Sequence, residues 1–344
     1  MGRSRSIASG VGGRVTGYVV RRLLLMVPLL LVVSFVSFLV VDLMPGDYVT
    51  RLAANPEFTQ ETVDRFRSRF GLDRPVFVRY FRWLGNIVTR WDFGMSFETS
   101  LPAFEMLFLG NRLPRTLLIS GTTIVFMWLV AIPLGVHAAT HHRRPDDHAL
   151  SVLSLLILSV PGFLIGLVLM WAMVGAFNVG ELGLGVGGLL DRRFIGEPLS
   201  WAKLGNLLWH LWPIWMVVGL SGAAGLMRYA RGSLLDELEK PYVRTARGKG
   251  LSERSVVYRH AFRNAINPLI SILGMQLPRL VAGSLIASIV LGLPTVEGAF
   301  WTAIQRRDPY VVMGGLLFFG LFLMLGNLLA DLLLAWSDPR VRFD

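Results

Sequence analysis

Long stretches of apolar residues are the dominant pattern along this chain. A bilayer core about 30 Å thick requires roughly 20 apolar residues per helix, and six stretches meet that requirement. We therefore predict an all-α polytopic membrane protein with six transmembrane helices. The predicted spans are 23–41, 115–139, 149–177, 206–227, 269–291 and 311–336.

The first span follows a basic stretch that contains Arg3, Arg5, Arg14, Arg21 and Arg22, an arrangement shared with cleaved signal peptides. Its apolar run is too long for the core of a typical signal peptide and lacks a small-residue cleavage site. We therefore interpret 1–22 as a retained N-terminal segment and 23–41 as a signal anchor.

The composition supports a membrane protein and excludes several other classes. Of 344 residues, 53% are hydrophobic and 17% are charged, whereas an ordinary soluble domain has roughly 25% charged residues. The chain has no cysteine, so thiolate metal sites, cysteine nucleophiles and disulfides are excluded. The formal net charge of +11 would suggest nucleic acid in a soluble protein, but in a membrane protein its distribution over the loops predicts orientation.

The basic excess lies in alternate loops. Residues 1–22 hold five basic and no acidic residues, and 228–268 hold nine basic against four acidic. The positive-inside rule therefore places both termini and 228–268 in the cytoplasm. Because 228–268 lacks interleaved base-stacking aromatics, we expect membrane lipids and no nucleic acid as its partners. The loops on the predicted outer side are balanced in charge: 42–112, 178–205 and 292–310.

The outer loop 42–112 contains two predicted amphipathic helices. Apolar residues recur at helical spacing in 59–70, and Gly71 follows where a helix often ends with positive φ. Pro75 begins a second helical pattern through 76–87. The loop could fold as a cap that covers the ends of the membrane helices, or it could contact a ligand directly, and both interpretations remain open.

The segment 228–268 has the pattern of two short helices joined at a glycine. A helical pattern over 229–240 is ended by Pro241, Gly250 lies between two further short patterns, and Ser252 can cap the second. The residues alone leave two interpretations open, a functional helix–turn–helix element and an interfacial loop held by anionic lipid.

The string from Tyr242 to Leu251 reads Tyr-Val-Arg-Thr-Ala-Arg-Gly-Lys-Gly-Leu. It resembles the cytoplasmic EAA loop of bacterial ABC importer membrane subunits, and most of all the first (B-type) permease of the oligopeptide/dipeptide/nickel permease family. The resemblance extends along nearly the whole chain. Further matching strings are Arg21-Arg22-Leu23-Leu24, Pro45-Gly46-Asp47, Gly71-Leu72-Asp73-Arg74-Pro75, Asp92-Phe93-Gly94-Met95-Ser96, Arg112-Leu113-Pro114-Arg115-Thr116 and Asp338-Pro339-Arg340.

The resemblance implies a type I ABC importer permease fold in the cytoplasmic membrane of a bacterium or archaeon, with 113–336 as the permease core and 337–344 as a cytoplasmic tail. It implies a transport subunit, not an enzyme, that forms half of a pore and works by alternating access. The implied partners are a second homologous permease, two cytoplasmic ATP-binding subunits and an extracytoplasmic solute-binding protein. ATP and Mg²⁺ would bind those partners, and this chain would hold no cofactor or metal.

The resemblance also implies which residues couple the chain to the ATPases. The expected coupling residues are Tyr242, Arg244, Thr245, Ala246, Arg247, Lys249, Gly250 and Leu251.

Di- or oligopeptides are the cargo that the resemblance implies, and an oligosaccharide or a nickel chelate is the alternative. The chain reads Ser288-Ile289 where many peptide permeases carry Glu-Thr, and Pro294-Thr295-Val296-Glu297 in place of Pro-Gly-Leu-Gly. Arg279 and Ser288 are candidates for the translocation path or for a contact with another subunit. The alternative interpretation of Arg279 is a purely structural role.

Two enzymatic interpretations fail on their motifs. ATP binding by this chain is excluded, because Gly248-Lys249 is followed by Gly250 and not by Ser or Thr. The string Gly219-Leu220-Ser221-Gly222 resembles the nucleophile motif of intramembrane serine proteases, which need a histidine on a later membrane helix. The only later histidine, His260, falls in 228–268.

One short turn combines several metal-ligating residue types. Neighbouring Arg143 and Arg144 disfavour a cation, so we predict a solvated turn without a metal. The residues concerned are His141, His142, Asp146, Asp147 and His148.

Overall fold

The structure is a computed structural model that describes residues 4–43, 53, 59–69, 71–108, 111–176, 180, 185, 187–273, 276 and 285–337. In these residues the backbone is mostly helical, and the only β-type pairing is a single bridge between Met95 and Pro102. The helices are α1 (Ser4–Asp42), α2 (Gln60–Arg69), α3 (Val76–Arg90), α4 (Ala103–Phe108), α5 (Arg112–Thr140), α6 (Pro145–Ser159), α7 (Gly162–Trp171), α8 (Trp201–Ile214), α9 (Leu220–Leu238), α10 (Pro241–Gly248), α11 (Glu253–Ser255), α12 (Phe262–Ala265), α13 (Leu285–Val290), α14 (Val296–Arg306) and α15 (Pro309–Ser337).

Short stretches of other helical geometry connect some of these elements. A π-helical stretch, Trp215–Gly219, joins α8 to α9, so that Trp201–Leu238 is one continuous helix. A second π-helical stretch, Val256–Ala261, joins α11 to α12, and a third, Ala172–Ala176, follows α7. Arg192–Phe194 forms one 3₁₀ turn.

Among the described residues, four helices are long and apolar enough to cross a bilayer: Gly17–Asp42, Arg112–Thr140, Trp201–Leu238 and Pro309–Leu333. These helices coincide with the first, second, fourth and sixth predicted spans. Large apolar side chains on α1, including Leu24, Leu25 and Val32, are exposed, as expected of a helix surrounded by lipid. Of the fifth predicted span, 269–291, the structure describes helical backbone at 269–273 and in α13, and the residues between lie largely outside the described part.

The third predicted span, 149–177, is not one continuous helix but a bent pair of helices. Pro145–Ser159 and Gly162–Gly175 are bent by 90°. Val160, between them, has an extended backbone (φ −92°, ψ 124°). Pro161 causes this conformation, because its ring disfavours helical backbone in the preceding residue and it has no N–H to donate.

The chain divides into two compact units, and the first comprises Met1–Leu113, Thr295–Leu325 and the last two residues. Both predicted outer-loop helices are confirmed as α2 and α3. Gly71 has φ +65°, and α3 buries Tyr80, Trp83 and Ile87 in a core shared with Phe38 of α1. The indole nitrogen of Trp83 donates a hydrogen bond to the backbone oxygen of Phe93 at 3.0 Å, so this buried polar atom is satisfied.

A buried carboxylate joins distant parts of the same unit. Asp308 precedes α15 and accepts hydrogen bonds from the Ser96 hydroxyl and from the backbone N–H of Phe97 (3.1 Å) and Val311 (3.4 Å). Burial raises the pKa of Asp308, and these hydrogen bonds partly oppose the rise.

The second unit comprises Pro114–Pro294 and Gly326–Arg342. In it, α5 and α9 approach closely at Gly135. A Cβ atom at this position would lie 2.7 Å from the Ala230 Cβ and 2.9 Å from the Met227 backbone oxygen. Glycine at 135 therefore permits the two long helices to pack closely.

A buried ion pair fixes α6 to α9. Asp147 is 1% exposed, and its two carboxylate oxygens lie 2.6 and 2.8 Å from guanidinium nitrogens of Arg231. The backbone N–H of Arg143 also donates to it, at 3.0 Å. The predicted solvated turn is therefore wrong for Asp147, which Arg231 from another helix draws into the interior.

A polar network anchors the segment before α8 in the second unit. Asp191 accepts hydrogen bonds from the Asn206 amide (2.6 Å) and the Gly185 N–H (2.9 Å), while the Asn206 oxygen accepts from the Asp191 N–H. His210 is buried beside them, with its Nε2 atom 3.4 Å from Asp191. The sequence patterns did not indicate this network.

Candidate functional site

The residues of 228–268 fold as the predicted helix–Gly turn–helix. α9 ends at Leu238, and Pro241 occupies the first position of α10, where its fixed φ favours helix formation. At the end of α10, Gly250 has φ +77° and its N–H donates to the Arg247 carbonyl at 2.9 Å. Such a positive φ is costly for residues with a Cβ atom, which explains glycine at the turn.

Ser252 precedes α11 at its N-cap, as predicted, but its side chain makes no capping hydrogen bond. The backbone N–H of Val256 instead donates to the Ser252 carbonyl at 3.0 Å. The second half of the motif is thus held by backbone hydrogen bonds and by the packing of Val256–Ala261.

An apolar core fixes α10 to the helices beside it. Val243 (0% exposed) and Ala246 (7%) are the buried residues of α10. They belong to a cluster with Leu234 of α9, Val136 and Ala139 of α5, and the buried residues Val256, Val257, Ala261 and Ala265. Burying a Val side chain stabilises by about 1.5–3 kcal/mol, so α10 is held firmly against these helices.

The opposite side of α10 is exposed and basic. Tyr242, Arg244, Thr245, Arg247, Lys249, Gly250 and Leu251 are exposed. Within the described residues, neither Arg244 nor Lys249 forms an ion pair. Seven of the eight predicted coupling residues therefore lie on the surface, whereas Ala246 faces inward and serves packing.

Two of these surface residues also stabilise the motif itself. Arg247 donates two hydrogen bonds to Glu253 across the Gly250 turn, at 2.6 and 3.1 Å, and they lower the pKa of the Glu253 carboxyl. The Tyr242 hydroxyl donates to Glu237 at 2.6 Å and accepts from Asn264 at 3.0 Å. Burial and the hydrogen bond to Glu237 raise the pKa of Tyr242.

Sequence reasoning missed Glu237, Glu253 and Asn264 as supporting residues. Glu253 lies six positions after Arg247 and Asn264 lies 22 after Tyr242. Neither separation is a helical i,i+4 spacing, so only the folded turn brings these partners together.

The second unit also contains a cavity of about 590 Å³. None of its described lining residues carries a charged side chain, and small and apolar residues predominate. Gln276 supplies an amide that accepts a hydrogen bond from the Trp128 indole at 3.4 Å. The lining residues are Met127, Pro161, Gly162, Phe163, Val217, Val218, Ser221, Gly222, Gly225, Leu226, Tyr229, Ile272, Gln276, Ile286 and Ala287.

The remaining predicted site residues are only partly placed. Ser288 is buried, 3% exposed, on α13, next to the cavity-lining Ile286 and Ala287. Arg279 lies outside the described residues. Ser221 lines the cavity, and no histidine is among the described lining residues.

Long apolar helices are typical of a polytopic membrane protein, and a neutral cavity among them is compatible with a permease. Comparison with protein families agrees. Residues 131–343 match the binding-protein-dependent transport system inner membrane component, and residues 15–133 match the N-terminal region of such membrane components. The chain belongs to this family, the inner-membrane permeases of ABC importers of the peptide/dipeptide/nickel group, and is a multi-pass inner-membrane protein.

Curated relatives cover almost the whole chain. The oligopeptide transport system permease protein AppB of Bacillus subtilis is 33% identical over 95% of this chain and 99% of its own length. A putative peptide permease of Brucella ovis is 32% identical over 94% and 98%, respectively. The glutathione transport system permease protein GsiC of Escherichia coli K12 is 31% identical over 95% and 99%.

Proposed function

We propose that this chain forms one half of the pore of an ATP-driven, binding-protein-dependent importer of di- and oligopeptides. Its partners are a second homologous permease, two cytoplasmic ATP-binding subunits and an extracytoplasmic solute-binding protein. The observation that carries the proposal is the position of α10, which is fixed on one side by the Val243 cluster and presents Arg244 and Lys249 on the other.

The packing of α10 suits a coupling element. A helix joined to α5 and α9 through a dry apolar cluster moves with them, so a displacement applied to its exposed side reaches the membrane helices. Its basic side chains complement an acidic groove on a partner. Alternating access then follows from rocking of the two permease halves around a cavity near the midplane.

The orientation is part of the proposal. With both termini inside, the basic segments 1–22 and 228–268 face the cytoplasm, where the anionic leaflet and the ATP-binding subunits lie. ATP and Mg²⁺ bind those subunits, and this chain contributes no cofactor site to hydrolysis.

The relatives of this chain favour peptide as the cargo. Those relatives include permeases of oligopeptide, peptide and glutathione transport systems. The cavity wall of apolar and small residues with a few polar groups, such as Ser221 and Gln276, imposes no preference for one sign of side-chain charge. Oligosaccharide and nickel chelate are the alternative cargoes, and the ligand that co-purifies with the solute-binding protein distinguishes among the three.

The test is reconstitution of the complete transporter in proteoliposomes. We expect ATP hydrolysis and peptide uptake to require all subunits and to increase with peptide-loaded binding protein. Arg244→Glu should abolish this stimulation, whereas Arg192→Glu, an exposed arginine in the balanced loop 178–205, should preserve it. Uptake by this chain alone, or equal stimulation in both variants, would contradict the proposal.

A further inference from the structure

Four of the six histidines of the chain lie between positions 137 and 148, where α5 ends and the chain turns into α6. His137 lies in the last turn of α5, and His141 directly follows the helix with its N–H bonded to the His137 carbonyl at 3.0 Å. Their rings therefore lie on the same side and stack with centroids 4.2 Å apart. The turn, in which Arg143 has φ +64°, brings Asp146 back beside them. The Asp146 Oδ2 atom lies 2.8 Å from His137 Nε2.

The hydrogen bonds of His141 determine which ring nitrogen can bind a metal. His141 Nδ1 lies 3.0 Å from the backbone oxygen of His137. A carbonyl oxygen only accepts hydrogen bonds, so Nδ1 carries a proton, and in the neutral ring Nε2 is the nitrogen with the free lone pair. A histidine whose other nitrogen donates to a backbone carbonyl has the second-shell support typical of a metal ligand.

We propose that His137, His141 and Asp146 bind one divalent late transition-metal ion of the Zn²⁺ class. One ligand atom from each residue lies within 4.8 Å of the other two. Metal–ligand bonds of about 2.0–2.2 Å in tetrahedral geometry require ligand atoms about 3.4 Å apart. Reaching that spacing requires rotation of these partly exposed side chains and exchange of the His137–Asp146 hydrogen bond for two bonds to the metal.

The surrounding charges leave Asp146 available to the metal. The charge of Asp147 is balanced by Arg231, which contacts both of its oxygens, and His142 also faces Asp147 at 3.3 Å. Arg144 approaches Asp146 at 4.0 Å, on the oxygen that does not face His137. This arginine is 67% exposed, so it can turn into solvent when a cation binds.

The donor set selects the class of metal. Two imidazoles and one carboxylate suit Zn²⁺, Co²⁺, Ni²⁺ or Cu²⁺, whereas Ca²⁺ and Mg²⁺ require mainly oxygen ligands. Three protein ligands leave a fourth position for water. The ion would link the end of α5 to the first turn of α6, next to Val136 and Ala139, which pack against α10. This inference does not depend on the proposed transport function.

The test is a titration of the full chain in nanodiscs, purified without an oligohistidine tag, with Co²⁺ as the probe. Visible absorption reports its coordination, and Zn²⁺ competition reports affinity. We expect one saturable site whose affinity is lower in acid than at neutral pH, because metal ligands must be deprotonated to bind. His137→Gln and His141→Gln should each weaken binding by more than about tenfold, the smallest loss typical of even second-shell changes.

His148→Gln is the matched control, since His148 is exposed in the same region but lies outside the three-residue site. The Co²⁺ affinity of this variant should equal that of the unchanged chain. Metal-free thermal unfolding of each variant verifies that lost binding does not reflect lost folding. Absence of saturable Co²⁺ binding, or equal binding by His137→Gln and His148→Gln variants, would overturn the proposal.

Discussion

Substitutions at Gly250 separate the conformational requirement of the turn from a requirement for free space at its surface. Gly250 has φ +77°, and a Cβ atom there would meet no other atom within 4 Å. In the absence of partner subunits, Gly250→Ala and Gly250→Leu should therefore each destabilise the turn by about 1–2 kcal/mol, the penalty of left-handed backbone for an L-residue. Asparagine tolerates this conformation better and should cost less.

The matched control is Gly248→Ala. Gly248 also has open space around a Cβ atom, but it is the last residue of α10 and has no positive φ. Alanine there should be neutral or stabilise the helix by up to about 1 kcal/mol. Hydrogen exchange of the amides in α10 measures these local free energies in every variant.

The functional readout is the number of substrate molecules imported per ATP hydrolysed in the complete transporter. If the turn docks into a groove on the ATPase, Gly250→Leu loses coupling far more than Gly250→Ala, although their turns are equally strained. Gly250→Asn, which is less strained but bulkier than alanine, should fall between the alanine and leucine variants in coupling. Equal coupling of the leucine and alanine variants would refute docking at this turn, and equal exchange for the alanine variants at 248 and 250 would refute the strain argument.

Three further predictions concern the framework around the turn. Gly135→Leu should lower the melting temperature, because its side chain would meet the α9 backbone, and overpacking costs about 1–3 kcal/mol. Arg231→Met should destabilise by about 3–5 kcal/mol by leaving Asp147 buried without a partner, and adding Asp147→Asn should restore part of that loss in denaturation experiments. Arg247 lowers the pKa of Glu253, so the stability that this pair contributes is present above about pH 4.3 and is lost as the pH falls through the folded-state pKa. In the Glu253→Gln variant, the backbone amides of the turn should therefore exchange hydrogen faster than in the unchanged chain at pH 7. The loss of local stability should be less than about 1 kcal/mol, because the pair is so exposed. In acid the two exchange rates should be equal.

Features that depend on local sequence were predictable. Span length follows from the apolar stretches, and the turn at Gly250 and the helix after Pro75 follow from backbone chemistry at single residues. Pro161 was a local signal for the bend of the third span. The apolar stretch continues past this proline, however, and hydropathy does not report the direction of a helix, so the bend was not predicted.

Features that depend on tertiary contacts were not predictable. Asp147 belongs to a histidine- and arginine-rich turn in the sequence, yet Arg231, 84 positions later, draws it into the interior. His137 was not grouped with the turn because it belongs to the preceding helix. The inward position of Ala246 depends on which side of α10 meets Leu234, which the basic string from 242 to 251 does not specify.

The most direct test of docking exploits the absence of cysteine from the chain. A single cysteine at position 249 (Lys249→Cys), on the exposed side of α10, should cross-link to a co-expressed ATP-binding subunit in membranes, with a yield that changes when ATP binds. A single cysteine at position 199 (Leu199→Cys), where the native residue is 85% exposed in the segment predicted to face outward, should give no such product. Cross-linking from position 199 but not from position 249 would contradict both the orientation and the coupling role of α10.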